Sequence, residues 1–361
     1  MTFTSYLGRS SAAGAVPQPA LAPIGERGLR VLVRGTGSIG ARHARVLGAL
    51  GVERLYVWPV RAGLRLEDRP DLPPAATVVE GYPDGPLDLV IIATDTRRHA
   101  ADTLEALAQA PGAILLEKPV APAVEDSAVL RAHPGAHTVY VSAPLRFHQG
   151  FAVIDELLPR LGRVTSAQVT SQSWLPSWRP NRDFRESYSA RHEDGGVLRD
   201  LVHDIDYPCL LFGAPSSLRA CIGSGVLGIE AEESADLQWD GTAAVQLRLD
   251  YVSPVKTRGI RIATTEGALS WDVVSNRVVL EWPRPEDGTV AREEKVFPAD
   301  ADVDTALARQ TLAVLQHTGL DAGDSMSRFR PASLADGITA VAVCDAARTA
   351  AASGGTEPVV W

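Results

Sequence analysis

The stretch VLVRGTGSIGARHARVL, Val31 to Leu47, decides how the rest of the chain is read. Gly35, Gly37 and Gly40 stand in a G-x-G-x-x-G spacing. An apolar run precedes them, and a helical pattern follows in which Ile39, His43, Leu47 and Leu50 recur at one-face intervals. A bare match to this spacing is weak, because a glycine-rich turn produces it equally well. Between a strand and a helix, at the start of a βαβ unit, it reads as a dinucleotide cradle. Gly35 permits the tight turn, Gly37 lets backbone approach a pyrophosphate, and Gly40 lets helix and strand pack closely. The helix then opens at Ser38 and Ile39 with its N-terminus towards the anion.

Outward from this turn, short apolar runs alternate with helical patterns as far as Val141. LRVLVRG, RLYVW, DLVIIATD, AILLEKP and TVYVSA read as strands, and SIGARHARVLGALG, TLEALAQAPG and EDSAVLRAH as helices. Strict alternation predicts parallel strands joined by crossover helices, with both sheet faces covered. After residue 150 β-type runs follow one another directly: RVTSAQVTSQSW, SLRACIGSGV, TAAVQLRLDYV, TRGIRIATTEGALSWDV and RVVLEW. Such a series predicts an open, mainly antiparallel sheet. Two late helical patterns, DTALARQTLAVLQHTG and SLADGITAVAVCDAARTAAASGG, close the chain. The expected class is α/β, with three parts: an irregular N-terminal extension (1–28), a doubly wound dinucleotide-binding domain (29–145), and a substrate-binding and oligomerisation domain (146–361).

Composition narrows the function. The chain has 361 residues, 45% of them hydrophobic, which suits two domains with full cores. A net charge of −9 without a Lys/Arg-rich run argues against nucleic acid or an anionic membrane as partner. No apolar run approaches the roughly 20 residues of a membrane helix. Cys209, Cys221 and Cys344 form neither a C-x-x-C pair nor an even set, so they read as reduced thiols of a cytoplasmic protein. The Ala/Pro/Gly/Ser-rich start lacks the basic and apolar regions of a secretory signal. His148, His192 and His203 have no metal-ligand spacing, so no metal is expected.

Three segments carry candidate chemistry. LLEKPV places Glu117, Lys118 and Pro119 at the carboxyl end of a parallel strand, the edge where doubly wound sheets gather ligands. A lysine there can stabilise alkoxide character on a substrate oxygen, although strand-end lysines are commonly plain surface residues. In GGVLRDLVHDIDY, a continuous helix would put Asp200 and His203 on one face. A neutral imidazole can take the proton of a secondary alcohol, with Asp200 orienting it; Asp204 and Asp206 read as solvent-facing or structural. The cofactor form turns on the end of RLYVW. Glu53 lies before that strand, whereas Arg61 follows it where a cation would meet a 2′-phosphate. NADP is therefore favoured over NAD, with an ordinary solvated Arg61 as the other reading.

The order of GTGSIGARH, TDTRRH, LLEKPV, PLRFHQGF and GGVLRDLVHDIDY resembles the Gfo/Idh/MocA oxidoreductases, the glucose–fructose oxidoreductase and inositol dehydrogenase family. The resemblance runs from about residue 29 to the C-terminus and includes EGALSWD. It implies an N-terminal Rossmann domain, a C-terminal α/β domain on an open sheet, and oxidation of a sugar or cyclitol in a homodimer or homotetramer. By the same likeness Lys118 and His203 match the catalytic lysine and histidine. Thr94, Asp95 and His99 would lie by the nicotinamide ribose, and Arg146 at the substrate–cofactor edge. Many members carry an aspartate four residues before the histidine, where this chain has Arg199; Asp200 stands three residues before it.

One loop stands apart. SWLPSWRPNRDFRESYSARHEDGG gathers Trp178, Arg179, Arg182, Arg185 and Tyr188 ahead of the histidine segment. Arginine forks suit phosphate or carboxylate, and aromatic planes suit a sugar or base. Interleaved Asp183, Glu186, Glu193 and Asp194 leave a self-paired solvated loop as the alternative. The expected activity is NAD(P)-dependent hydride transfer at a CH–OH/C=O carbon of a sugar, cyclitol or anionic, nucleotide-linked derivative. Two alternatives stay open: redox-neutral epimerisation or glycoside cleavage on a tightly held cofactor, and a non-catalytic dinucleotide- and sugar-binding regulator.

Overall fold

A computed structural model of the chain describes residues 28–284, 286, 288–320 and 326–361. Apart from Gly28, the predicted N-terminal extension lies outside the described residues. In chain order the first elements are β1 (Arg30–Arg34), α1 (Ser38–Ala49), β2 (Arg54–Trp58), β3 (Thr77–Val78), β4 (Leu89–Ile92), α2 (His99–Ala108), β5 (Ala113–Leu116), α3 (Ala128–Arg131) and β6 (Val139–Val141). Then come α4 (Gln149–Leu157), β7 (Val164–Trp174), α5 (Val197–Asp200), α6 (His203–Phe212), β8 (Ser217–Gly223), β9 (Ser234–Trp239) and β10 (Ala244–Asp250). The last are β11 (Val252–Thr264), β12 (Ala268–Asp272), β13 (Arg277–Pro283), β14 (Val290–Val296), α7 (Val303–His317), β15 (Ala332–Ser333), α8 (Leu334–Ser353) and β16 (Glu357–Pro358).

The first sheet has the order β15-β6-β5-β4-β1-β2-β3. Its pairs from β3 to β6 are parallel, and only β15 joins antiparallel, along β6. All residues of β4 and β5 are buried, as expected of central strands covered on both faces. The second sheet has the order β14-β13-β12-β11-β7-β10-β9-β8-β16. The β7–β10 pair is parallel and the others are antiparallel. Burial alternates along β9, which is the mark of a sheet with one covered face. Strands β9 and β14 were not anticipated from the residues: β9 carries the alternation on only six residues, with Asp236 and Gln238 outward, and in β14 a run of charges from Arg292 to Lys295 masks it.

Among the described residues, one compact unit holds everything up to Phe147 together with Asp302–Val341. The other holds His148–Ala301 and Ala342–Trp361. The expected division assigned all of 146–361 to the second domain, whereas contacts group Asp302–Val341 with the first. The cause is visible in α7. Gln310 accepts from the amide of Ala143 at 2.7 Å and donates to Ser142 Oγ at 3.2 Å, while Arg309 donates to the carbonyl of Phe147 at 2.9 Å. Ala332, Leu334, Ile338 and Val341 then complete the apolar core around Leu116, Val120 and Val141. No helix among the described residues is long and apolar enough to cross a membrane.

Candidate active site

The glycine turn is built as a cradle. Gly35 follows β1 at φ +97°, and a Cβ there would stand 2.5 Å from the carbonyl oxygen of Ala93. A Cβ on Gly40 would stand 2.0 Å from the carbonyl oxygen of Gly35, so turn and helix touch through backbone alone. Gly37, by contrast, faces open space and is exposed with Ser38, while Ile39 is half-buried. Gly37 caps α1 with no side-chain hydrogen bond, and the first turn carries no acid. An exposed helix start whose first turn carries no acidic side chain suits an anion such as a pyrophosphate.

At the carboxyl end of β2 stands Trp58, paired in register with Arg34. The Arg34 guanidinium lies 3.9 Å from the Trp58 ring centroid and donates to the carbonyl of Pro59 at 3.0 Å. Burial lowers its pKa, partly offset by Asp102. Arg61 is exposed three residues beyond the strand. Arg69 reaches back to the turn, donating to the carbonyl of Thr36 at 2.7 Å while Asp71 holds its other edge.

The lysine segment is held from both sides. His43, on the buried face of α1, meets Glu117 Oε1 at 2.8 Å, and the amide of Lys118 donates to Oε2 at 3.3 Å. With Glu117 ionised, His43 Nε2 is the donor. His99 opens α2 with its ring fully buried, Nδ1 being 2.7 Å from the carbonyl of Pro119 and Nε2 3.0 Å from that of Thr94. Burial pushes the His99 imidazole below its ordinary pKa despite these acceptors, so the neutral ring donates to one carbonyl, the nearer being Pro119. Through that bond His99 ties the start of α2 to the turn that leaves β5, with the carbonyl of Thr94 against its other nitrogen. Thr94 donates to Asp102 at 2.7 Å, a buried carboxylate that also receives Arg98. Asp95 is exposed, and Lys118 is half-buried. The Arg146 side chain is buried, and its guanidinium meets Asp336 at 3.4 Å.

The histidine segment departs from expectation. GGVLRDLVHDIDY does not form one continuous helix: α5 ends at Asp200 and α6 begins at His203, with Leu201 and Val202 between. Gly196 (φ +87°) lies against the Glu232 carboxylate, which Arg348 grips at 2.8 and 2.9 Å. Arg199 is buried on Asp345 at 2.7 Å. These contacts anchor the segment and offset it from a regular helix. Buried Asp200 accepts from the Tyr251 hydroxyl at 2.7 Å and is hydrogen-bonded to Tyr188 as well. His203 is half-buried. Asp204 is fully buried in a two-bond contact with Arg258, at 3.0 and 2.7 Å, and so is structural rather than solvent-facing; Asp206 is buried as well.

The loop before α5 divides in two. Trp178 donates to Ser173 Oγ at 3.0 Å and meets Tyr251 edge-on at 5.4 Å, and Arg179 lies over the Tyr188 ring at 5.8 Å. Farther out, Arg182 and Arg185 are exposed, the latter stacked on Phe184 at 4.3 Å and 3.7 Å from Asp183. His43, Tyr251 and Arg34 are the site residues the sequence reading missed. A polar residue on the apolar stripe of α1 is the signal for His43, and a strand-end phenol needing a buried acceptor is the signal for Tyr251.

Comparison with known proteins bears on these segments. Residues 29–143 match the model of the oxidoreductase family with NAD-binding Rossmann fold, and residues 159–270 match that of the GFO/IDH/MocA C-terminal domain. No curated protein matches the chain. Among solved structures, a levoglucosan dehydrogenase in complex with NADH superposes with TM-score 0.76 at 17% identity, over 92% of this chain and 99% of that one. The WlbA dehydrogenase from Bordetella pertussis, with NADH and UDP-GlcNAcA, gives 0.72 at 18% identity, over 94% and 100%. The UDP-N-acetylglucosamine 3-dehydrogenase GnnA from Acidithiobacillus ferrooxidans gives 0.70 at 19%, over 90% and 98%. At such identities the likeness establishes the fold.

Proposed function

Because the chain belongs to the Gfo/Idh/MocA oxidoreductase family, with its NAD-binding Rossmann domain, we propose that it is an NAD(P)-dependent dehydrogenase or reductase acting on a CH–OH/C=O carbon of an anionic, sugar-like substrate. One observation carries the reading: the open glycine turn and the clamped lysine segment belong to one unit, joined directly by the His43–Glu117 hydrogen bond. A bound nicotinamide supplies the hydride acceptor or donor. Lys118 donates a hydrogen bond to the reacting oxygen and stabilises its negative character. His203 takes the hydroxyl proton in oxidation and returns it in reduction.

Two similar structures act on or hold UDP-sugars, which supports a substrate bearing phosphate or carboxylate. The exposed Arg182 and Arg185 offer donor forks for such groups. The 2′-phosphorylated cofactor is the preferred form in this proposal, because the end of β2 presents Trp58, buried Arg34 and exposed Arg61 instead of a carboxylate. Pairing of the open sheet between copies, giving a dimer or tetramer, belongs to the same reading.

The test is titration of both nicotinamide cofactors, followed by a screen of polyols, acid sugars and nucleotide sugars at the nicotinamide absorbance band. NADP binds more tightly, and Arg61→Ala weakens NADP while leaving NAD unchanged. Tighter binding of NAD overturns the cofactor preference. Substrate consumed without net absorbance change replaces dehydrogenation by redox-neutral chemistry, and binding without turnover across the screen replaces it by a regulatory role.

A further inference from the structure

Asp200 is a carboxylate that the aromatic loop reaches. Three residues along the chain from His203, it is buried at the end of α5, where two phenols reach it. Tyr251, from the junction of β10 and β11, is fully buried and donates at 2.7 Å. Tyr188, from the loop, is hydrogen-bonded to the same group. Burial first, and the charge of Asp200 next, push both phenols well above the ordinary tyrosine pKa, so both keep their protons and remain donors. Arg179 acts on Tyr188, and Glu232 on Tyr251, as the further charges around the pair. Trp178 closes the outside by packing edge-on against Tyr251.

A buried carboxylate is stabilised by hydrogen-bond donors, and the Tyr251 hydroxyl on its Oδ2 also fixes how the group is turned. We propose that Tyr251 and Tyr188 are positioning residues that act on His203 through Asp200, so that the 174–194 loop sets the orientation of the proton-transferring imidazole. This rests on the role proposed for His203 and on Asp200 acting as its orienting carboxylate across the two-residue break, which Asp200→Asn tests directly. Tyr251 is the better probe, because a fully buried side chain has no surface for substrate and its hydroxyl is bonded to Asp200.

The experiment is a double-mutant cycle in the full chain with Tyr251→Phe, Asp200→Asn and the pair. Tyr251→Phe lowers kcat about tenfold, the size expected for a lost hydrogen bond to a charged group, with KM within about twofold. Asp200→Asn lowers it more, and the double variant matches Asp200→Asn alone, since the phenol has nothing left to orient. Nucleotide affinity stays unchanged in all three, which reports that the fold is kept. If Tyr251→Phe does not fold, Tyr188→Phe completes the same cycle. Independent effects that multiply, or unchanged turnover in the phenylalanine variant, overturn the proposal. NMR titration of the His203 imidazole needs no substrate: Asp200→Asn lowers its midpoint and Tyr251→Phe shifts it, whereas a midpoint unmoved by Tyr251→Phe also overturns it. Full activity in His203→Ala overturns the proposed function instead, and so the two failures are told apart.

Discussion

Lys118 follows a strand whose four residues are all buried, and His203 opens a helix that begins two residues after another has stopped. The lysine segment takes its position from a parallel strand, where the pairing register leaves little freedom, and two buried histidines then pin the turn that leaves it. The histidine segment has no such rail. It is held by side chains far away in sequence: Arg348 on Glu232, Arg199 on Asp345, Arg258 on Asp204 and Tyr251 on Asp200. Regular secondary structure places one group and a tertiary hydrogen-bond network places the other, so the two should fail differently when disturbed.

The strongest way to break this comparison is to remove the groups themselves. Lys118→Ala and His203→Ala each lower kcat by about 10²–10⁴-fold, as acid–base and electrostatic contributions of this kind do. Equal losses with intact nucleotide binding sustain the paired roles, and full activity in either variant removes that residue from the chemistry.

Next in size is the clamp on the lysine. His43→Ala leaves the buried Glu117 carboxylate without its 2.8 Å partner and costs about 2–3 kcal/mol of stability in denaturant unfolding. It also weakens nucleotide binding, because α1 carries the cradle as well as the histidine. An unchanged unfolding midpoint would show that the two groups are not coupled.

A smaller effect belongs to the outer loop. Arg182→Ala and Arg185→Ala raise KM for an anionic substrate by about 3–10-fold at unchanged kcat, the loss of one exposed charge-assisted contact. Unchanged KM in both variants removes these arginines from recognition and leaves the inner, tyrosine-anchored half of the loop as the functional part.

The smallest is a pH effect on stability. Burial depresses the pKa of His99, so the folded state keeps the ring neutral while the unfolded chain takes a proton below about pH 6.5. Its contribution is therefore present above that pH and is lost as pH falls towards the folded value. Thermal unfolding followed between about pH 7 and 5 shows a decline that is shallower in His99→Asn; equal slopes would mean that the ring takes up its proton in the fold as it does in the unfolded chain.

Much of the fold is legible in the residues. The glycine turn, the strand ending at Leu116 before Glu117-Lys118, and the fully apolar β4 and β5 are local patterns, and they appear where the periodicity puts them. Helices α7 and α8 were legible as helices, but not as members of a unit: the buried Gln310 and Arg309, aimed at backbone near Ser142 and Phe147, tie α7 to the parallel sheet. The break at Leu201–Val202 was equally hidden, since the residues that anchor α5 lie on Glu232, Asp345 and Arg348.

From the amino-acid order alone come the nucleotide cradle, the parallel and antiparallel grammars of the two sheets, and the choice of Lys118 and His203 as candidates. Each depends on spacing along a few residues, where backbone geometry repeats at a known period. Which carboxylate meets which phenol, which histidine grips Glu117, and which sheet claims the returning helix were decided only by tertiary structure. A buried polar group must find its partner wherever the folded chain brings one, and no local periodicity records that meeting.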